Sequence, residues 1–153
     1  MNYEKSIADH YTTGGLLKTI LNRIRKVGKT VDTIQLNDLA PLDEFHVGGR
    51  KATPHLLDSM EFQAGMHVLD IGCGLGGADR FTANHFGCEV SGIDLNQEFI
   101  ETGIIINARL KLETLVALKQ ASALQMPFEE SNFDGAYMMH VGMNISNKEQ
   151  LFR

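Results

Sequence analysis

The spacing of apolar residues changes once along the chain. In Leu16 to Val27, "LLKTILNRIRKV", the residues Leu16, Leu17, Ile20, Leu21, Ile24 and Val27 share one face at helical spacing. Lys18, Arg23, Arg25 and Lys26 supply the wet side, and Gly28 is a natural stop. "PLDEFHVGGR" (41–50) reads as a loop. "TPHLLDSMEF" (53–62) reads as a helix with Thr53 as N-cap and Pro54 at the first helical position. No strand pattern precedes residue 62, so residues 1–62 form a helical segment distinct from the rest of the chain.

From Met66 the rhythm becomes strand, turn, helix. "HVLDI" is a short apolar strand, and "GADRFTANHF" is a helix closed by Gly87. "CEVSGID" is a second strand and "NQEFIETGIIINARL" a second helix. "TLVALKQA" and "FDGAYMMH" are strands three and four, and "NKEQLFR" begins another helix. Strands alternating with helices predict an α/β fold, a parallel sheet with right-handed crossovers. Such sheets bind ligands at the carboxyl ends of their strands. Residues 63–153 would hold the first four strands of that sheet, with the fourth left as an apolar edge. An open edge predicts self-association into a homo-oligomer.

Composition narrows the possibilities. The 153 residues carry a net charge of −5, which gives no reason to expect nucleic acid as a partner. No apolar run approaches the length of a membrane helix, and the N-terminus lacks an apolar signal core. Two cysteines do not make a disulfide framework, so the cytoplasm is the simplest compartment. His46, His55, His67 and His85 show no metal-ligand spacing, and no metal is expected. Met138, Met139 and Met143 read as core.

The chemistry concentrates in "VLDIGCGLGG" (68–77). Gly72, Gly74 and Gly77 fit G-x-G-x-x-G between a strand and a helix, and Asp94 ends the next strand twenty-two residues after Gly72. Alone, that is the dinucleotide fingerprint. Asp70 argues against a dinucleotide. A carboxylate two residues before Gly72 would repel a pyrophosphate on the helix N-terminus. It suits a cationic ligand instead. S-adenosylmethionine has an amino group, a sulfonium and a ribose, and no phosphate. Asp94 keeps a ribose role, and "SALQMPF" (122–128) offers an edge for adenine.

"HVLDIGCGLGGADRF", "VSGIDLN", "ASALQMPFEESNFDGAY" and "HVGMNI" resemble the successive motifs of class I S-adenosylmethionine-dependent methyltransferases. With "DLAPLDEFHVGGRKAT" upstream, the chain is similar to bacterial sarcosine/dimethylglycine N-methyltransferase-like small-molecule enzymes. The resemblance runs from about His10 to the end. It implies a Rossmann-like sheet under an N-terminal helical cap, and methyl transfer to a small acceptor, with an amine as the first expectation. It places Asp70, Gly72, Cys73 and Gly74 around the methionine moiety, with Cys73 a small filler rather than a nucleophile. Asp94 and Leu95 would hold ribose and adenine, and Ser122, Ala123 and Leu124 would line the adenine. Tyr11 would reach the cofactor from the cap. His140 would act as a base or orient an amine, and a purely structural histidine stays open beside that. Serine stands at position 122 where the family usually has an acid, which implies weaker cofactor binding.

Two other readings explain part of the pattern. The chain could be a shortened, non-catalytic cofactor-binding domain that pairs through its fourth strand. A nicotinamide-dependent oxidoreductase explains the glycines and Asp94 but not Asp70 or "SALQMPF".

Overall fold

A computed structural model describes residues 12, 14–30, 32–43 and 51–152. Four strands form one parallel sheet: β1 (His67–Ile71), β2 (Glu89–Asp94), β3 (Val116–Gln120) and β4 (Gly135–Tyr137). Their order is β3-β2-β1-β4, so the chain reverses its direction of travel across the sheet between β1 and β4. In register, Leu69 lies between Ser91 and Ala136.

Helices α1 (Leu16–Lys26), α2 (Leu36–Asp43) and α3 (Ala52–Leu57) precede the sheet. Helices α4 (Gly77–Phe86) and α5 (Gln97–Arg109) make the crossovers, and α6 (Lys148–Leu151) is a single turn. The two crossover helices carry strong stop and start signals. Gly87, at φ 75°, closes α4 by donating to the Ala83 carbonyl. The Asn96 side chain opens α5 by accepting the Phe99 N–H at 3.1 Å. Gly103 lets α5 press against the sheet: a Cβ there would lie 2.5 Å from Leu118 Cδ1 and 2.7 Å from the Leu75 carbonyl oxygen.

Among the described residues, two buried apolar clusters result. One joins Val68, Val90, Val116 and Leu118 of the sheet to Ala78, Ala83 and Ile100 of the crossovers, with Leu57 and Phe62 beneath. The other joins Ile20, Ile24 and Leu39 of the N-terminal helices to Ile106 and to Leu75 of the glycine loop.

Several sequence expectations change in detail. Thr53 is not an N-cap; α3 begins one residue earlier, no side chain caps it, and Thr53 is fully buried inside it. That helix is also shorter, giving way to a 3-10 turn at Asp58–Met60 before Glu61 turns left-handed at φ 55°. Part of the expected loop 41–50 is helical, because α2 runs through Pro41 to Asp43. Pro41 forfeits one backbone hydrogen bond, and the burial of Leu39 against Ile20 and Ile24 offsets it. β4 spans three residues rather than eight. Met143 is exposed, not core, because the chain has left the sheet and formed a 3-10 turn at Gly142–Asn144.

Candidate functional site

The loop between β1 and α4 sits beside the reversal point of the sheet, where open α/β folds leave a crevice. It is tacked onto β2. Gly72 N–H and Cys73 N–H both donate to the Ile93 carbonyl, at 2.8 and 2.9 Å. Gly92 permits this approach, since a Cβ there would be 2.8 Å from Cys73 Cβ. Gly72 (φ 84°) and Gly74 (φ 57°) are both left-handed, but their surroundings differ. A Cβ on Gly72 would meet Val141 Cγ2 at 2.3 Å. A Cβ on Gly74 would meet nothing within 4 Å, so the loop is open there.

Asp94 ends β2 beside that opening. Its Oδ2 accepts the Gly74 N–H at 3.0 Å and its Oδ1 accepts the Asn96 N–H at 2.8 Å. Burial raises its pKa above the ordinary carboxylate value, while the amides of Asn96, Gly74 and Leu95 pull the other way. The one carboxylate therefore fixes both the glycine loop and the start of α5.

Asp70 does not open onto solvent; it lies beneath the loop with Asp79 from the first turn of α4. Burial holds the Asp70 carboxyl well above its usual range, and the facing Asp79 adds to it. Burial likewise pushes Asp79 to about 7. Around them, Arg80 donates to Asn107 Oδ1 at 2.6 Å, and Tyr137 and Thr82 share a hydroxyl contact of 3.2 Å. Cys73 is buried in the same region, and burial drives its thiol pKa up, which keeps it protonated and poorly nucleophilic.

The other expected residues lie along the carboxyl ends of the strands. Ser122, Ala123 and Leu124 form a tight turn after β3, in which Ser122 Oγ accepts the Leu124 N–H at 3.0 Å. The Leu124 carbonyl takes a hydrogen bond from Gln150 Nε2, and the Leu95 carbonyl takes one from Gln120 Nε2. His140 is exposed after β4, in the left-handed region at φ 55°. That turn delivers the next residue, Val141, onto Gly72. Tyr11 lies outside the described residues.

Asp79, Asn96 and Val141 join the site without standing out in the sequence as site residues. Asn96 carries a legible N-cap signal. The others depend on contacts between residues distant in the chain. Among the described residues, no group of three His, Cys, Asp or Glu side chains could hold a metal, and no helix is long and apolar enough to cross a membrane.

The donor set fits a ligand with a ribose and a cationic head better than one with a pyrophosphate. Gly74 leaves room for close approach, Asp94 offers acceptors for hydroxyls, and two carboxyl groups occupy the base of the helix where phosphates would dock.

Comparison with known proteins agrees. A family model described as "Methyltransferase domain" matches residues 68–153. Two relatives from Arabidopsis thaliana are 31% identical to the chain: 24-methylenesterol C-methyltransferase 2 over 96 residues and phosphoethanolamine N-methyltransferase 3 over 106. The matches cover 63% and 69% of this chain but 27% and 21% of those proteins, so the chain spans about a quarter of the length of such relatives. A structure of geranyl diphosphate methyltransferase in complex with S-adenosylmethionine is 27% identical, with a TM-score of 0.55, over 57% of this chain and 36% of that one. Geranyl diphosphate C-methyltransferase from Streptomyces coelicolor A3(2) shares the fold over 99% of this chain and 58% of its own, at a TM-score of 0.69 and 18% identity.

Proposed function

The chain belongs to the methyltransferase domain family, and from that premise we propose that it carries the cofactor half of a methyltransferase that uses S-adenosylmethionine and a small-molecule acceptor, an amine in the finer reading. When bound, S-adenosylmethionine supplies an electrophilic methyl group on a sulfonium. The observation that carries the reading is Asp79. In a dinucleotide site the helix N-terminus after the glycine loop is free to receive phosphate. Here that end already holds a buried carboxyl group, with Asp70 directly beneath it.

On this reading Asp94 accepts ribose hydroxyls on the lone pairs that Gly74 and Asn96 leave available. Leu95 and the Ser122–Leu124 turn flank the adenine. Gly72, Cys73 and Gly74 present the loop to the methionine part, with the proton-sharing Asp70–Asp79 pair below. Methyl transfer needs mainly in-line alignment, so positioning and exclusion of water can carry most of the catalysis. His140, exposed at the carboxyl end of β4, orients an amine acceptor or takes up the proton that the amine loses. Residues 1–62 act as a helical cap on the substrate side, and residues 63–153 as the cofactor domain. The amine rests on the resemblance of "HVGMNI" and on the phosphoethanolamine relative; the sterol and isoprenoid acceptors of the other relatives are the competing classes.

A calorimetric titration with S-adenosylhomocysteine, with NAD as control, tests the cofactor. Binding of the first alone is expected, and binding of NAD alone would refute the reading. Labelled methyl transfer to amine, sterol and isoprenoid panels, run on a chain extended to the length of the relatives, then tests the acceptor.

A further inference from the structure

The residues just before α1 are tied to the cofactor end of the sheet by side chains from the start of α5. Glu98 accepts the Leu16 N–H on Oε1 at 2.8 Å and the Gly14 N–H on Oε2 at 3.1 Å. Two residues earlier, Asn96 is 2% exposed and donates from Nδ2 to Thr12 Oγ1 at 3.2 Å. The Asn96 N–H is itself held by Asp94, whose other oxygen holds Gly74. A continuous string of hydrogen bonds therefore runs from Gly74 through Asp94 and Asn96 to Thr12. Glu98 pins the backbone at Gly14 and Leu16.

Three features separate this from ordinary helix capping. The N-cap position of α1 is Gly15, which has no side chain to cap with, so the acceptor comes from a residue 82 positions away. Gly14 and Gly15 are both left-handed, at φ 68° and 91°, and a Cβ on either would meet nothing within 4 Å. Their glycines thus serve a backbone reversal rather than close packing. Finally, α1 beyond this point is fixed by Ile20 and Ile24 against Leu75 and Ile106. What Glu98 adds is a hold on the backbone of Gly14 and Leu16 next to Asn96.

We propose that Glu98 is a positioning residue for the cofactor: by holding Gly14 and Leu16 it keeps Thr12 on Asn96, and so keeps the Asp94 carboxylate aligned between the glycine loop and the ribose. The inference rests on the cofactor reading given above. Asp94 has two oxygens and several demands on them, so the orientation of its immediate neighbour matters. Losing the Glu98 carboxylate frees Asn96 from one side, and Asp94 then samples orientations that release Gly74.

The test compares Glu98→Ala, Glu98→Gln and, as a control at an exposed position of the same helix, Glu101→Gln. Two quantities are read: affinity for S-adenosylhomocysteine, and amide hydrogen exchange at Gly14, Leu16 and Gly74 in the ligand-free chain. Glu98→Ala is expected to weaken binding about tenfold, the size of one charge-assisted hydrogen bond, and to speed exchange at all three amides. Glu98→Gln keeps one acceptor oxygen and should fall between, while Glu101→Gln should match the wild type. Faster exchange at Gly14 and Leu16 with Gly74 and affinity unchanged would show a merely structural cap and overturn the proposal. If the wild-type chain fails to bind S-adenosylhomocysteine, the cofactor reading fails first. The coupling is then judged by Gly74 exchange in Glu98→Ala, where an unchanged rate overturns it.

Discussion

Asp70 and Asp79 face one another beneath the glycine loop, one from the end of β1 and the other from the first turn of α4, and neither reaches solvent. Asp70 Oδ1 and both carboxyl oxygens of Asp79 have no ordinary hydrogen-bond partner among the described residues. Burial and mutual repulsion disfavour two ionised carboxylates there, and the buried Arg80 guanidinium beside Asp79 offsets this only in part. The consistent state at neutral pH is a pair that shares a proton, which matches the upward direction of both pKa values.

That pair sets a pH dependence of stability. Asp79 titrates near 7 in the folded chain, against about 3.9 for an unfolded aspartate. Between those values the folded state keeps a proton that the unfolded state has lost, so stability falls as pH rises. The contribution is whole below about pH 4 and is lost as pH passes about 7. In Asp79→Asn, the amide can donate to Asp70 Oδ1 and the repulsion from Asp79 is gone, which leaves only the burial of Asp70 to favour its protonated form. Urea denaturation at pH 5 and pH 8 should show a loss on the order of 1–3 kcal/mol in the wild type and less than half of it in the variant. Parallel pH profiles for the two proteins would sink the idea.

Val141 lies where a side chain on Gly72 would have to go, and that predicts a second outcome. Gly72→Ala sets a Cβ 2.3 Å from Val141 Cγ2 on a backbone at φ 84°. Strain and overlap together should cost about 2–4 kcal/mol. Val141→Ala removes the overlapping methyl groups but not the backbone strain. The double variant is therefore expected to recover part of the loss, about 1–2 kcal/mol, measured as the coupling in a double-mutant cycle. Additive effects would mean that the two residues do not meet.

The sheet was largely legible in the sequence because its signals are local. "HVLDI" is apolar between a turn and a glycine, and Gly87 and Asn96 announce the helix ends they make. The cofactor loop was legible for the same reason: its glycines sit where the strand meets the helix. What escaped depends on tertiary contact. Leu39 draws residues through Pro41 into a helix that local propensity does not favour, and Thr53 is buried rather than capping because Leu57 anchors the whole turn. In the sequence Asp70 reads as a carboxylate for a cationic ligand, beside the methionine moiety of a cofactor. Only its apposition to Asp79, nine residues on, shows a carboxyl group sealed below the loop.

Leu75 belongs to the glycine loop yet packs with Ile20, Ile24 and Leu39 of the N-terminal helices and with Ile106 of α5. It is fully buried. Leu75→Ala should therefore cost about 2–5 kcal/mol and loosen the two regions together. Protease cleavage within α1 and amide exchange within the loop should accelerate in parallel. Acceleration in the loop alone would mean that the N-terminal helices stand independently of it.

Asp94 offers the sharpest test of the cofactor reading, because its two possible jobs respond differently to the ligand. Asp94→Asn keeps one acceptor oxygen but turns an NH2 group towards the N–H of Gly74 or Asn96. Affinity for S-adenosylhomocysteine should fall about 10- to 100-fold, as expected for one or two hydrogen bonds to a charged group. Part of that loss comes from a loosened loop and is the same for any ligand of similar shape. The rest comes from the ribose hydroxyls and vanishes when they are absent. Repeating the titration with a 2′,3′-dideoxy analogue of S-adenosylhomocysteine separates the two. If Asp94 binds the ribose, the penalty of Asp94→Asn shrinks with the deoxy ligand. An equal penalty for both ligands would confine Asp94 to holding Gly74 and Asn96, and would move ribose recognition to another residue.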